Sequence, residues 1–382
     1  MSKDGSRSAA VSTPGSAGSQ VPGKPSEFDL IRKYFTRPVR HTVEGIGDDC
    51  ALIAARPGMQ VAISTDLLVE GTHFLPDADA QLLGHKTLAV NLSDLAAAGA
   101  EPRWATLAVA LPEANEAWIA AFARGFFALA ERHSLDLIGG DTTRGPRSFC
   151  VTVMGEVPAG RSLKRSGAIA GDDVWVSGEL GGAALALAAR LGRTAIGANA
   201  RAALDHRLDA PQPRVELGLA LRGLASAAID VSDGLVGDLG HICERSMLAA
   251  RIEYALLPQP QALLALADAP LRSDCLLSGG DDYELLFTAP ATCRDELGAL
   301  SERLGLALTR IGSMHAGEPR ATVLDGSGNP IAHRGRGYDH FACRLSVPGG
   351  GCRKSVTFIC KPKCPRLREG NFNTGNGIRS AV

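Results

Sequence analysis

The chain is poor in several features that mark other kinds of protein. Phe, Trp and Tyr together make up only 5% of its 382 residues. No apolar run approaches the ~20 residues of a membrane-spanning helix, so no membrane partner is expected. Neither sign of charge prevails: 41 acidic against 40 basic residues leave a formal net charge of −1. That balance gives no electrostatic footprint for DNA or RNA. The first 26 residues are rich in Ser, Gly, Pro and Lys and lack the apolar core of a secretion signal. They read as a disordered arm. No G-x-x-x-x-G-K-S/T phosphate loop, protein-kinase motif set or H-E-x-x-H sequence occurs.

Cysteine is present without a pattern. Cys50, Cys150, Cys243, Cys275, Cys293 and Cys343 are scattered, several in apolar runs, and none forms a C-x-x-C pair. Buried, reduced thiols of a cytoplasmic protein are the plain reading. Residues 344–382 change character, with a triple glycine, a basic Cys/Pro-rich stretch and a Gly/Asn-rich end. Cys352, Cys360 and Cys364 there have no fourth ligand or nearby His, a weak case for zinc against a disordered tail.

What is there is ample apolar material, 45% of residues, and 44 glycines. The length suits two domains. The expected boundaries are 27–157 and 158–343, after the arm and before the tail. Residues 81–98 and 114–133 have helical spacing. Val61-Ala62-Ile63 reads as a short strand delivering Ser64, Thr65 and Asp66 at its end. Leu135 to Ile138 reads as another, leading into the loop Gly139-Gly140-Asp141-Thr142-Thr143-Arg144-Gly145. Ala227 to Asp230 is a third, followed by a helix to about Met247. Strands and helices mix without a steady βαβ rhythm, which predicts an α+β fold.

Five acidic segments share one design: Gly47-Asp48-Asp49, Ser64-Thr65-Asp66, Asn91-Leu92-Ser93-Asp94, Gly140-Asp141 and Asp230-Val231-Ser232-Asp233-Gly234. Each joins a carboxylate to Gly, Ser or Thr. Aspartate is short and holds an oxygen at a fixed reach. Magnesium takes one or two carboxylates and completes its octahedron with water and phosphate oxygens. Glycine lets backbone N–H groups approach an anion. Carboxylates alone repel a polyphosphate, so several bridging metal ions are implied if one binds. Any single aspartate of this kind also serves as a turn residue or helix N-cap, and that alternative stays open at this level. A lone loop histidine such as His73 likewise reads as solvated or as substrate-binding.

Taken in order, Gly45-Ile46-Gly47-Asp48-Asp49-Cys50-Ala51-Leu52, Ile63-Ser64-Thr65-Asp66, His73-Phe74, Asn91-Leu92-Ser93-Asp94, Gly139-Gly140-Asp141-Thr142-Thr143-Arg144-Gly145 and Asp230-Val231-Ser232-Asp233-Gly234 resemble the thiamine-monophosphate kinase family. Ser278-Gly279-Gly280-Asp281-Asp282-Tyr283-Glu284-Leu285 and Gly337-Tyr338-Asp339-His340-Phe341 extend the match, which runs from about Glu27 to Phe341. The resemblance implies ATP-dependent phosphorylation of thiamine monophosphate to thiamine diphosphate. It also implies a homodimer joined through a mainly β sheet of the N-terminal domain. On the matching positions, Asp49, Ser64, Thr65, Asp66, Asp94, Asp141, Asp230 and Asp233 would form the magnesium shell. Gly140, Asp141, Arg165 and Ser232 would contact ATP. His73, Asp281 and an aromatic, Tyr338 or Phe341, would contact thiamine monophosphate. The family commonly has Glu where this chain has Asp281, one methylene shorter. Three rivals are a related ATP-dependent synthetase, a metal-dependent phosphohydrolase and a non-catalytic nucleotide-binding homologue.

Overall fold

The computed structural model describes residues 26–333. The arm before Ser26, the tail, Cys343, Tyr338 and Phe341 lie outside the described residues. The first half runs α1 (Glu27–Leu30), β1 (Thr42–Glu44), β2 (Leu52–Ile53), β3 (Met59–Val69), α2 (Ala80–Ala97), β4 (Glu101–Leu111), α3 (Glu116–Arg132), β5 (Asp136–Arg144) and β6 (Ser148–Pro158). The second runs β7 (Asp173–Ser177), α4 (Gly182–Arg190), α5 (Ala198–Asp209), α6 (Val215–Ala220), β8 (Ala227–Asp230), α7 (Leu235–Ser246), β9 (Ala249–Glu253), α8 (Gln261–Leu264), α9 (Ala269–Ser278), β10 (Leu285–Ala289), α10 (Arg294–Leu304), β11 (Leu308–His315) and β12 (Ala321–Leu324). Strands and helices mix in both halves, as the α+β expectation required.

Side-chain oxygens start the two long helices of the first half. Asp79 accepts from Leu82 N ahead of α2, and Asn115 accepts from Trp118 N ahead of α3. These helices cover one face of a four-stranded sheet ordered β3-β6-β4-β5. Phe122 of α3 stacks on Phe149 of β6 at 4.6 Å between ring centres. Burying such a ring contributes about 1.5–3 kcal/mol. The helices approach each other very closely. A Cβ on Gly84 would lie 2.0 Å from Phe122 O, and one on Gly125 would lie 1.8 Å from Gln81 O.

The second sheet is six-stranded, ordered β12-β9-β11-β7-β10-β8. Its two faces feed different cores. Trp175, Ala228, Leu285 and Phe287 join the core built around α2 and α3, whereas Val174, Val176, Ile229 and Leu286 pack with residues of α4, α7 and α9. One core therefore runs through both halves, and it fixes β8 beside α2.

Two expectations need correction. Ser64, Thr65 and Asp66 do not end a strand; β3 continues to Val69, paired throughout with β6. Gly139 to Arg144 is not a loop but the later part of β5, parallel to β4. Ladder pairing overrides the weak β-propensity of Gly and Asp there. Of the cysteines, Cys243 and Cys275 are buried as expected, but Cys50 is exposed in the loop before β2.

Candidate active site

The Asn91-Leu92-Ser93-Asp94 segment forms the C-terminal turns of α2, and each of its polar side chains reaches a different partner. Asn91 Oδ1 accepts from Asp66 N at 3.0 Å, and its Nδ2 donates to Thr87 O at 3.0 Å. Ser93 Oγ donates to Asp230 Oδ2 at 2.7 Å. Asp94 Oδ2 accepts from Ser64 Oγ at 2.5 Å. One helix end thus ties β3 of the first sheet to the end of β8 in the second.

The result is a crowd of carboxylates. Burial pushes Asp66 up to about 6, and Asp94 and Asp233 add repulsion. Asp230 is pushed up to about 7, first by burial, then by Asp94, with the Ser93 hydroxyl opposing. Burial also raises Asp94, against the pull of the Ser64 hydrogen bond and of Arg165. Asp238, in the first turn of α7, accepts from Asp233 N and Gly234 N, both at 3.1 Å. Burial, then Asp230 and Asp233, push it to about 8. Carboxylates that burial and mutual repulsion hold back from ionising would be relieved by a cation. Among the described residues, no three His, Cys, Asp or Glu groups already converge on one metal position. The donor set therefore fits a hard divalent ion held by one or two carboxylates, with its shell completed by ligand oxygens and water. A closed protein cage of the zinc kind does not fit it.

Other expected residues lie elsewhere. Strand alternation sends Thr65 to the face opposite Ser64 and Asp66, where its hydroxyl meets Thr152 Oγ1 at 2.8 Å. Asp141 pairs with Ala108, which pairs with Cys150, so the register puts it on that same outer face. Asp49 is in an exposed loop, its N–H on Asp48 Oδ1 at 2.8 Å. Gly140 has φ +153°, and a Cβ there would lie 1.9 Å from Leu107 O, so it lets β5 sit against β4. Ser232 O accepts from Asp281 N at 2.9 Å. Arg165 is exposed, yet close enough to Asp94 to pull down its pKa.

A cleft beside the carboxylates unites two expected substrate residues. His73 and Asp281 line it with Phe74, Leu82, Leu83, Lys86, Leu187 and Arg190. His73 Nδ1 accepts from Val69 N at 3.0 Å, which leaves the proton of the neutral ring on Nε2. Asp281 Oδ1 accepts from Tyr283 OH at 3.0 Å and Oδ2 from Lys86 Nζ at 3.2 Å. Asp281 and Tyr283 both have positive φ, +68° and +51°, in a backbone held by Ser232 O and Val231 O.

Sequence reasoning assigned no role to Lys86, Tyr283 or Asp238. Lys86 lies on α2 ahead of Asp94, and no local signal separates it from a solvated helix lysine. Asp238 follows Asp233 by five residues, where an acid opening a helix is an ordinary cap signal.

The family model "AIR synthase related protein, N-terminal domain" matches residues 47–157, and its C-terminal counterpart matches 170–324. The chain is similar to the thiamine-monophosphate kinase of Salmonella typhimurium strain LT2, 48% identical over 321 residues, covering 83% of this chain and 98% of the relative. Its structure is similar to the crystal structure of thiamine-monophosphate kinase from Stenotrophomonas maltophilia K279a. There the TM-score is 0.70 with 52% identity, over 74% of this chain and 91% of that one. It is also similar to AaThiL complexed with AMPPCP and TMP, with TM-score 0.65 and 30% identity over 75% and 89% of the two chains.

Proposed function

The chain belongs to the thiamine-monophosphate kinase family, and from that premise we propose that it transfers the γ-phosphoryl group of ATP in line to the phosphate of thiamine monophosphate, giving thiamine diphosphate. The observation that carries this reading is the meeting of Asp66, Asp94 and Asp230 beside the cleft of His73 and Asp281.

The acceptor is a phosphate oxygen, already anionic near neutral pH, so no general base is assigned. The barrier is repulsion between two anions together with their alignment. Asp66, Asp94, Asp230 and Asp233, with Ser64, would hold magnesium ions. A divalent ion held there would supply the positive charge that lets two phosphate groups approach. Asn91 and Ser93 fix the carboxylates through Asp66 N and the Asp230 side chain. Arg165 and Ser232 stand near enough to the cluster to serve the ATP phosphates. Phe74, Leu82, Leu83 and Leu187 give the cleft an apolar side for the rings of the acceptor, and Asp281 offers a counter-charge to a cationic ring. Thr65 and Asp141 on the outer side of the first sheet, Gly140 against β4 and Asp49 in its exposed loop remain candidates.

A homodimer through that outer face accords with its surface. Val61, Ile63 and Leu67 alternate outward from β3 and are 37%, 65% and 52% exposed. An apolar stripe of this kind marks an interface. The division at 157/158 draws support from the separate sheets, but the expected ATP and metal residues fall on both sides of it, Asp66 and Asp94 before and Arg165, Asp230, Ser232 and Asp233 after. A cytoplasmic location fits the free cysteines of the described residues, and among those residues no helix is long and apolar enough to cross a membrane.

The test is incubation with ATP, thiamine monophosphate and magnesium, followed by chromatography for thiamine diphosphate. Phosphate release without an acceptor would indicate a hydrolase instead. ATP binding with no turnover would indicate a non-catalytic homologue.

A further inference from the structure

Lys86 is an anomaly for a helix lysine. Its side chain is only 5% exposed, and its one carboxylate partner among the described residues, Asp281, is 31% exposed. Lysine is almost never fully buried unless paired. This pair is asymmetric, with the ammonium inside and the carboxylate opening on the cleft. An ammonium carries three N–H donors. Among the described residues one is used, on Asp281 Oδ2 at 3.2 Å, which is long for a charge-assisted bond.

The cleft contains a second cation, but it is already neutralised. Arg190 donates to Asp205 at 3.0 Å and to both oxygens of Asp209. Two carboxylates leave it no surplus charge for an anionic ligand. His73 presents a ring whose Nδ1 is an acceptor. Among the described residues, Lys86 is therefore the cleft cation with donors to spare. Asp281 also links it to a tyrosine that feels the acidic cluster. Tyr283, hydrogen-bonded to the same Asp281, has its hydroxyl pushed well above its usual pKa, first by burial, then by Asp281, Asp66 and Asp230. Lys86 and Asp94 both lie on α2, about 12 Å apart along its axis at 1.5 Å per residue.

We propose that Lys86 is the residue that takes the phosphate of thiamine monophosphate, its ammonium leaving Asp281 in whole or part and freeing that carboxylate for the cationic ring. The proposal rests on the function given above and adds the group that distinguishes the phosphorylated acceptor from thiamine itself. The rival role is purely architectural, Lys86 tying α2 to the 279–284 loop.

Calorimetric titration of the full chain, without ATP or metal, with thiamine monophosphate and separately with thiamine, distinguishes the two. A charge-assisted hydrogen bond is worth about 1.5–3 kcal/mol, roughly 10- to 150-fold in affinity. Lys86→Met is expected to weaken thiamine monophosphate by that factor while thiamine stays within about twofold, and Lys86→Arg to restore part of the loss. In turnover, KM for thiamine monophosphate rises and KM for ATP does not. Equal weakening of both ligands, or unchanged affinity for the monophosphate, overturns the proposal in favour of the tie. Lys86→Gln, which keeps a donor to Asp281, serves the same comparison should the methionine variant not fold. A wild-type chain that binds thiamine monophosphate no better than thiamine also overturns it. A wild-type chain that binds it tightly yet makes no thiamine diphosphate instead sinks the kinase reading and leaves the Lys86 contact standing.

Discussion

Asp66 and Asp94 are held in place at a cost to the fold. Both are more than half removed from water and repel one another, so the native state stores unfavourable charge there. Asp66→Asn and Asp94→Asn are expected to abolish turnover at saturating magnesium without lowering the melting temperature, since each removes a like charge. Near-normal kcat in either variant contradicts their assignment. Asp282 carries a different burden. Its carboxylate accepts from Gly181 N at 2.7 Å at the start of α4. Burial pushes it up to about 8 against that bond. A folded pKa above the unfolded value means the unfolded chain holds fewer protons between about pH 4 and 8. The stabilisation is thus complete below pH 4 and is lost as pH rises toward 8. The slope is at most about 1.4 kcal/mol per pH unit for one group. Urea unfolding at pH 5 and pH 8 should show a smaller fall for Asp282→Asn than for the wild type. An identical fall in both would rule the group out.

At the level of elements, α2 is the member on which the site depends. It touches α3 through paired glycines, and its last turns carry the contacts to β3 and β8. Gly125→Ala puts a methyl 1.8 Å from Gln81 O, so the helices must part. Overpacking of this kind costs about 1–3 kcal/mol or more. Chemical denaturation should register that loss, and kcat should fall as well because Asn91 and Ser93 shift with the helix. Retained stability would mean the helices slide apart freely. The sequence made α2 and its motif legible through the helical spacing of residues 81–98, close to the observed Ala80–Ala97. It hid the true lengths of β3 and β5. Ser, Thr, Asp and Gly are turn residues by local preference, and only pairing with distant strands makes them extended. Lys86 was hidden for a similar reason: a lysine in a helix reads as solvated until α2 is packed against the 279–284 loop.

At the scale of the whole molecule, the proposed dimer rests on the exposed stripe of Val61, Ile63 and Leu67. Ile63→Asp combined with Leu67→Lys should shift the protein from dimer to monomer in sedimentation velocity. Wild-type sedimentation as a monomer at micromolar concentration would remove the dimer from the reading. The mixed α+β order was legible because the spacing changes from helical to alternating several times. The single core running through both halves was not, since nothing local announces that Trp175 and Phe287 face α2 and α3 rather than α4.

Thr65 and Asp66 are neighbours in sequence and face opposite sides of one sheet. A strand has a period of two, so inserting or deleting one residue in β3 would exchange every side chain between the faces. Ile63 or Leu67 would then be thrust among the carboxylates, and Asp66 would be turned out to the surface. Substitutions can be absorbed along this strand one at a time, but a change in its length cannot. Libraries of single-residue deletions should therefore show β3 as intolerant over its whole paired span, including positions where point substitutions are harmless.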